Sequence, residues 1–467
     1  MNFKKDKVYD LNIAYIGGGS QGWAWGLMSD LALEPSLNGR VRLYDIDHKA
    51  AENNAIIGNE LNKRDDVKSQ WHYVKSDSLK DALTGADFVV ISILPGTFDE
   101  MDSDVHTPED YGIYQSVGDT VGPGGIIRAL RTLPMYEEIA LAIKEYSKDA
   151  WVINFTNPMT LCTRMLYKTF PEIKAFGNCH EVFGTQKLLI SALKDICDID
   201  DVKREEIKVD VVGINHFTWV TKATYKGMDL FPIYEQFVDK YYETGFVKEG
   251  DDNWMNNAFA SGQRVKFELF KQYGYIAAAG DRHLAEACKG SWFLKSPDRV
   301  KDYTFGLTKV DYRKEKQKNL REKGLRLRNL EEQFEIKETG EEAVQQMRGI
   351  LGLRDFVTNT NLPNKGQFSN LPKDVVVETN ALFRRDRVMP ITMGDMPMSL
   401  LGLTMPHVTN QELVIEAVTE RDLKKAFRAF INDPNMKLDL HEARQLFNKM
   451  VKNTEKYLPD YFKNVEV

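Results

Sequence analysis

The stretch Ile13–Gly26, IAYIGGGSQGWAWG, joins an apolar run to a helical one through a cluster of glycines. Gly17, Gly19 and Gly22 stand in a G-x-G-x-x-G arrangement, with Ser20 and Gln21 between the last two. A tight glycine turn lets a backbone approach a pyrophosphate, and the first turn of the following helix offers unpaired N–H groups to its charge. The next β-rich run, VRLYDID, brings Asp45 to where a ribose diol is bound. A carboxylate there repels a 2′-phosphate, which favours NAD over NADP. A glycine fingerprint alone is a weak signal, and its plain alternative is a strand–helix turn with no ligand. Its register with a strand, a helix and an acid is what supports nucleotide binding.

Working outward, residues 1–195 alternate between short β-rich runs and amphipathic helices. LNIAYIGG, VRLYDID, ADFVVISIL, WVINFT and IKAFGN read as strands, and GWAWGLMSDLALEP, AAENNAIIGNELNKR and GGIIRALRTLPMYEEIALAIKEYS as helices. Continuous β-branched runs separated by helices of this length indicate an α/β unit with a Rossmann-type parallel sheet covered on both faces. Residues 196–467 read as an α+β domain. IKVDVVGINHFTWVTKATYKG alternates like an antiparallel pair, with Lys-Gly as the turn, and NAFASGQRVKFELFKQYG reads as a helix. The charged residues 312–345 predict a solvated helix. With no repeat and no low-complexity linker, the two halves are expected to pack as one body.

The chain has 467 residues, 42% of them hydrophobic and 28% charged, with a net charge of -7. An acidic protein without a basic stripe is not expected to bind nucleic acid. The opening MNFKKDKVYD is polar, so no signal peptide is expected, and the longest apolar run is too short to span a bilayer. Four cysteines in a chain this long are not a disulfide framework, which points to a reduced, cytoplasmic setting.

The stretch GNCHEVFGT, Gly177–Thr185, sets Cys179, His180 and Glu181 side by side without any standard zinc spacing. NFTNP brings Asn154 and Asn157 to the end of a parallel strand, where ligands meet an open sheet. INHF carries His216 in an Asn-His pair, and AGDRH groups Asp281, Arg282 and His283. Taken alone, Cys179 could be a small buried residue and His216 a hydrogen-bonded core histidine. The ordered set IGGGSQGW, GDTVGPGGIIRALRTLP, NFTNP, NCHE, INHF and LPKDVVVE resembles the NAD-dependent glycoside hydrolases of family 4, over most of the chain. The Cys-His-Glu form is similar to the branch acting on α-linked uronic acids, α-galacturonidases and α-glucuronidases.

The resemblance implies a lactate/malate dehydrogenase-like fold, NAD and Mn²⁺ as cofactors, and a homodimer or homotetramer. It implies Cys179 and His216 as metal ligands, His180 as the acid, Asp281 as the base with Tyr275 as its rival, and Asn157 on a substrate hydroxyl. Asn154 would face nicotinamide or sugar. In the family's chemistry a hydride leaves sugar C3 for NAD⁺, the acidified C2 proton is removed, the C1 substituent is eliminated, water adds and the hydride returns. A uronate carboxylate calls for a charged partner, for which Arg282, His283 and Arg131 are candidates. Glu181 would orient His180 or a metal-bound water. The main alternative is an NAD-dependent 2-hydroxy acid dehydrogenase, in which GDRH mimics a His–Asp pair. That reading leaves Cys179 and the Asn-His pair unexplained. A non-catalytic NAD sensor or sugar-binding protein is a further alternative, at odds with competent residues at every catalytic position.

Overall fold

Fourteen strands form two sheets in the computed structural model, which describes residues 1–248, 257 and 259–467. The larger sheet is built on β2 (Lys7–Ile16), β3 (Leu37–Tyr44), β4 (Trp71–Lys75), β5 (Phe88–Ile91), β6 (Trp151–Asn154) and β7 (Lys174–Gly177). These six run parallel in the order β4-β3-β2-β5-β6-β7, and β1 (Asn2–Lys4) pairs antiparallel with β2. This is the Rossmann-type arrangement expected of the first half, with the chain reversing direction across the sheet between β2 and β5. β4 escapes a sequence reading because it is an outer strand with one covered face. Trp71 and Tyr73 are buried while His72 is exposed, so WHYVK never forms a continuous apolar run.

The sheet does not end with the first half. β12 (Phe356–Pro363), β13 (Val376–Arg384) and β14 (Arg387–Pro390) continue it antiparallel beyond β7, joined where Asn361 faces Gly177. One core cluster likewise spans the chain. Ile127, Leu130 and Leu133 of the helix Gly122–Tyr146 share it with Val414, Phe430 and Phe447 from three later helices.

The second sheet holds β8 (Ile207–Ile214), β9 (Phe217–Tyr225), β10 (Met228–Asp229) and β11 (Ile276–Ala277), all antiparallel around β9. The expected pair is present, but its turn is Asn215–His216, and Lys226–Gly227 joins β9 to β10 instead. His216 sits at that two-residue tip with φ +64°, a left-handed conformation uncommon for residues other than glycine. The helix expected from Asn257 begins at Arg264 and ends at Tyr273; Ala258 lies outside the described residues.

The charged run is helical only over Val310–Arg328. Leu330 turns left-handed at φ +61°, which ends the helix, and residues 331–342 continue as an irregular strap along the helix Trp23–Leu33. Phe334 packs edge-on against Trp25, Lys337 N donates to Ser29 Oγ at 2.7 Å, and Thr339 N donates to Asp30 Oδ1 at 2.9 Å. The reading of this whole segment as a solvated helix is thereby corrected. No helix among the described residues is long and apolar enough to cross a membrane.

Candidate functional site

The glycine loop is fixed by its neighbours in the sheet. Gly17 N and Gly18 N both donate to Tyr44 O at 2.9 Å, and Gly19 N donates to Asp45 Oδ2 at 2.9 Å. Gly17 has φ +92°, and a Cβ there would lie 1.9 Å from Ser92 O, so glycine is required by both conformation and space. At Gly22 a Cβ would meet nothing within 4 Å, so this face of the loop is open at the start of the helix Trp23–Leu33. Ser20 Oγ turns back to accept from Trp23 N at 3.2 Å, and Gln21 leans toward Gly324 of the charged helix. Asn54, which no motif marks, holds the loop from below. Its Nδ2 donates to Gly18 O at 2.8 Å and Ser20 O at 3.0 Å, and its Oδ1 accepts from Trp25 Nε1 at 2.8 Å.

Cys179 follows β7, and the hairpin tip brings His216 to the same region from the other sheet. The His216 ring lies 3.7 Å, centroid to centroid, from that of His283 on the helix Asp281–Ala287. Thr120 Oγ1 is 2.7 Å from Asp119 Oδ1 and 2.8 Å from His216 Nδ1. A hydroxyl has one proton; because the carboxylate can only accept, Thr120 donates to Asp119 and accepts from His216 Nδ1–H. The lone pair of His216 is therefore on Nε2, the tautomer a metal ligand needs. Burial and the neighbouring His283 hold the His216 imidazole down at about 3, so it is neutral.

His180 pairs through Nδ1 with Glu341 Oε1 at 2.7 Å, and its side chain is half exposed. A carboxylate only accepts, so Nδ1 carries the proton and Nε2 is the free nitrogen. The hydrogen bond to Glu341 pushes the imidazole above its ordinary value. Glu181 Oε2 accepts from Gly280 N at 2.7 Å, while its Oε1 lies 3.7 Å from His283 Nε2. Burial alone would raise Glu181, but His283 and then His216 and His180 outweigh it and hold the carboxyl at about 2. The Cys179 thiol is pushed well up by burial, then by the nearby Glu378 and Glu181.

Below Cys179 lies a buried polar cluster from the antiparallel strands. Glu378 accepts from Asn359 Nδ2 at 2.7 Å, Asn361 Nδ2 at 3.1 Å and Asn215 Nδ2 at 3.2 Å, and Asn359 Nδ2 also reaches Cys179 O at 3.3 Å. Among the described residues, the Oδ1 atoms of Asn157 and Asn215 are buried without a partner. Among the described residues no three His, Cys, Asp or Glu side chains form a ready-made metal cage. What the site offers is a thiol, a neutral imidazole with a free Nε2, and orphaned amide oxygens amid acidic neighbours. That donor set fits a divalent cation completed by other ligands. The open, N–H-bearing glycine loop beside Asp45 fits a dinucleotide.

Several anticipated residues stand apart from this cluster. Asn154 is fully buried, its Oδ1 taking Tyr136 Oη at 2.5 Å and Thr156 N at 3.0 Å, so it braces the strand end. Asp281, 1% exposed, accepts from Val265 N and Lys266 N at 3.2 Å each, and burial lifts it to about 6. Arg282 Nε donates to Gly306 O at 3.1 Å and its Nη2 to Thr308 Oγ1 at 2.5 Å and to Ser116 O. Arg131 forms a bidentate buried pair with Asp104 at 2.6 and 3.0 Å. Arg128, one turn earlier, went unremarked in the sequence although GDTVGPGGIIRALRTLP contains it. Glu341 was hidden in the charged run, where no local signal distinguishes it from its neighbours.

The Family 4 glycosyl hydrolase model matches residues 12–195, and the model of that family's C-terminal domain matches residues 211–436. The chain belongs to glycosyl hydrolase family 4. This family 4 chain is 59% identical over 458 residues to an α-galacturonidase of Thermoanaerobacterium saccharolyticum, covering 98% of each. It superposes with a TM-score of 0.90 on the crystal structure of LplD from Bacillus subtilis, described as a glucosidase, at 49% identity over 95% of this chain and 100% of that one. A 6-phospho-α-glucosidase from gut microorganisms, crystallised in complex with NAD and Mn²⁺, has the same fold, with a TM-score of 0.78 at 20% identity over 96% and 99% of the two chains.

Proposed function

We propose that the protein is an α-galacturonidase that hydrolyses α-linked galacturonides with NAD and Mn²⁺ as resident cofactors. The observation that carries this reading is the near full-length kinship to an α-galacturonidase, and the motifs NFTNP, NCHE and INHF, which resemble the family's, support it. The complex of a fold relative with NAD and Mn²⁺ supports the choice of cofactors. When bound, NAD supplies reversible hydride transfer at sugar C3 and the cation supplies a Lewis acid.

The chain's own residues then have the following work. Gly17, Gly19, Ser20, Gln21 and Gly22 hold the pyrophosphate, Asp45 the ribose, and Asn154 stiffens the nearby strand end. Cys179 and His216 Nε2 hold the cation, with the Thr120 hydroxyl fixing the imidazole. Asn157 Oδ1, without a partner among the described residues, accepts from a sugar hydroxyl. Asp281 is the residue the family resemblance assigns to the C2 proton; its carboxyl, buried on Val265 N and Lys266 N away from the cluster, is lifted to about 6. His180, charged as the imidazolium that Glu341 favours at Nδ1, gives its Nε2 proton to the departing glycosidic oxygen and is left neutral. His283, stacked beside His216, lines the sugar side, and Arg282 acts at one remove by bracing the loop at Ser116. Residues 1–195 carry cofactor binding and residues 196–467 complete the substrate side. A cytoplasmic homodimer or homotetramer is part of the same reading.

The test is release of p-nitrophenol from the α-galacturonide and the α-glucuronide, with NAD⁺ and Mn²⁺ present and then each omitted. Turnover of the galacturonide that disappears without either factor is expected. Stoichiometric NADH from simple 2-hydroxy acids, with no nitrophenol from either uronide, would replace this reading with the dehydrogenase.

A further inference from the structure

Three arginines are buried near the site, and two are spent. The fork of Arg131 grips Asp104, and Arg282 donates to Gly306 O, Ser116 O and Thr308 Oγ1. Arg128 is 6% exposed, yet among the described residues its guanidinium makes a single hydrogen bond, from Nε to Asn157 O at 3.1 Å. Among the described residues Nη1 and Nη2, the two ends that grip a planar anion, make no hydrogen bond. Asp119 feels this charge, since Arg128 is the strongest of the cations holding its carboxyl at about 2 against the raising effect of burial. The two nonetheless form no ion pair among the described residues. A desolvated guanidinium with an empty fork is costly unless an anion completes it.

The location defines which anion. Nε is tied to the carbonyl of Asn157, whose own Oδ1 is buried without a partner among the described residues. Asp119 in turn is linked through Thr120 to His216. Arg128 therefore stands between the residue proposed to read a sugar hydroxyl and the one proposed to hold the cation. We propose that Arg128 is the receptor for the C5 carboxylate of the uronide, taking it bidentately on Nη1 and Nη2 while Asn157 Oδ1 accepts from a hydroxyl of the same ring. This rests on the galacturonidase reading and adds to it the group that separates a galacturonide from a neutral galactoside. Arginine suits the role because its planar fork matches a carboxylate in two parallel hydrogen bonds, which a lysine cannot reproduce.

The experiment compares p-nitrophenyl α-galacturonide with p-nitrophenyl α-galactoside, which keeps the C4 configuration and replaces the carboxylate by a hydroxymethyl group. The enzyme is the full chain with NAD⁺ and Mn²⁺, and the readout is the ratio of kcat/KM for the two. In Arg128→Gln that ratio is expected to fall on the order of 100-fold or more, mainly through KM of the galacturonide, with NAD⁺ affinity and circular dichroism unchanged. A folded Arg128→Gln in which both substrates decline together would overturn the proposal, because a merely structural arginine acts on both alike. Should the glutamine variant not fold, Arg128→Lys keeps the charge and stem. Its ratio is expected to drop about tenfold from loss of the fork, and an unchanged ratio overturns the assignment. A wild-type enzyme that prefers the galactoside would refute the galacturonidase reading itself, and Arg128 as a carboxylate receptor with it.

Discussion

Glu286 offers a test of how the site loop is held, through the replacement Glu286→Gln. Its carboxyl is fully buried on the helix Asp281–Ala287, and Oε1 accepts from Val117 N at 3.1 Å and Gly118 N at 2.9 Å. It thus clamps the loop that carries Asp119 and Thr120 to His216. Burial lifts the group from 4.5 to about 8, against the lowering effect of the two N–H groups. An acid whose folded pKa is raised binds its proton more tightly in the native state. Its stabilising contribution is complete below the unfolded pKa and is lost as pH rises from about 4.5 to about 8. At 1.36 kcal/mol per unit, that interval corresponds to about 5 kcal/mol between pH 4 and pH 9. Glutamine matches the shape of the protonated acid, keeps an acceptor for both N–H groups and does not ionise. The variant should equal wild type in thermal unfolding near pH 5 and exceed it increasingly toward pH 9. For a chain this long the gain is on the order of 5 °C. A variant that instead becomes relatively less stable as pH rises would show that the native carboxyl is ionised and stabilising, and the clamp argument would fail.

Three further outcomes follow from the same geometry. Thr120→Val removes the acceptor of His216 Nδ1–H and should weaken Mn²⁺ affinity about 10–100-fold, read by titrating the metal-dependent rate; unchanged affinity would mean the tautomer is set elsewhere. Glu341→Gln removes the charge that raises His180, so the alkaline limb of the kcat profile should move to lower pH, and a limb that stays in place would separate His180 from the acid role. Asn54→Ala strands Trp25 Nε1 and two loop carbonyls, costing about 2–4 kcal/mol in urea unfolding and weakening NAD⁺ binding; a cost below about 0.5 kcal/mol would mean water replaces the amide freely.

The glycine turn, five of the six parallel strands and the order of the site motifs were legible in the chain because each is a local pattern. A buried parallel strand needs an unbroken apolar run, and a phosphate turn needs glycine at positions set by its own backbone. β4 was lost because one exposed face interrupts its run, and the Asn215–His216 turn because its left-handed tip carries no glycine to mark it. The continuation of the sheet by β12, β13 and β14 was also out of reach, since which strands pair depends on contacts between residues far apart in the chain.

The site divides in the same way. Sequence alone named Cys179, His180, His216 and Asn157 as candidates, through motifs that resemble those of a known family. Tertiary structure alone decided that Arg131 is consumed by Asp104 while Arg128, three residues away, is left with an open fork. It also chose Glu341 from a run rich in carboxylates and turned it onto His180, because the strap from 331 to 342 is anchored at Ser29 and Asp30. A side chain's type is written in the sequence, but its partner is set by which distant elements pack against it. For buried charges the partner determines whether the group braces the fold or is free to meet a substrate.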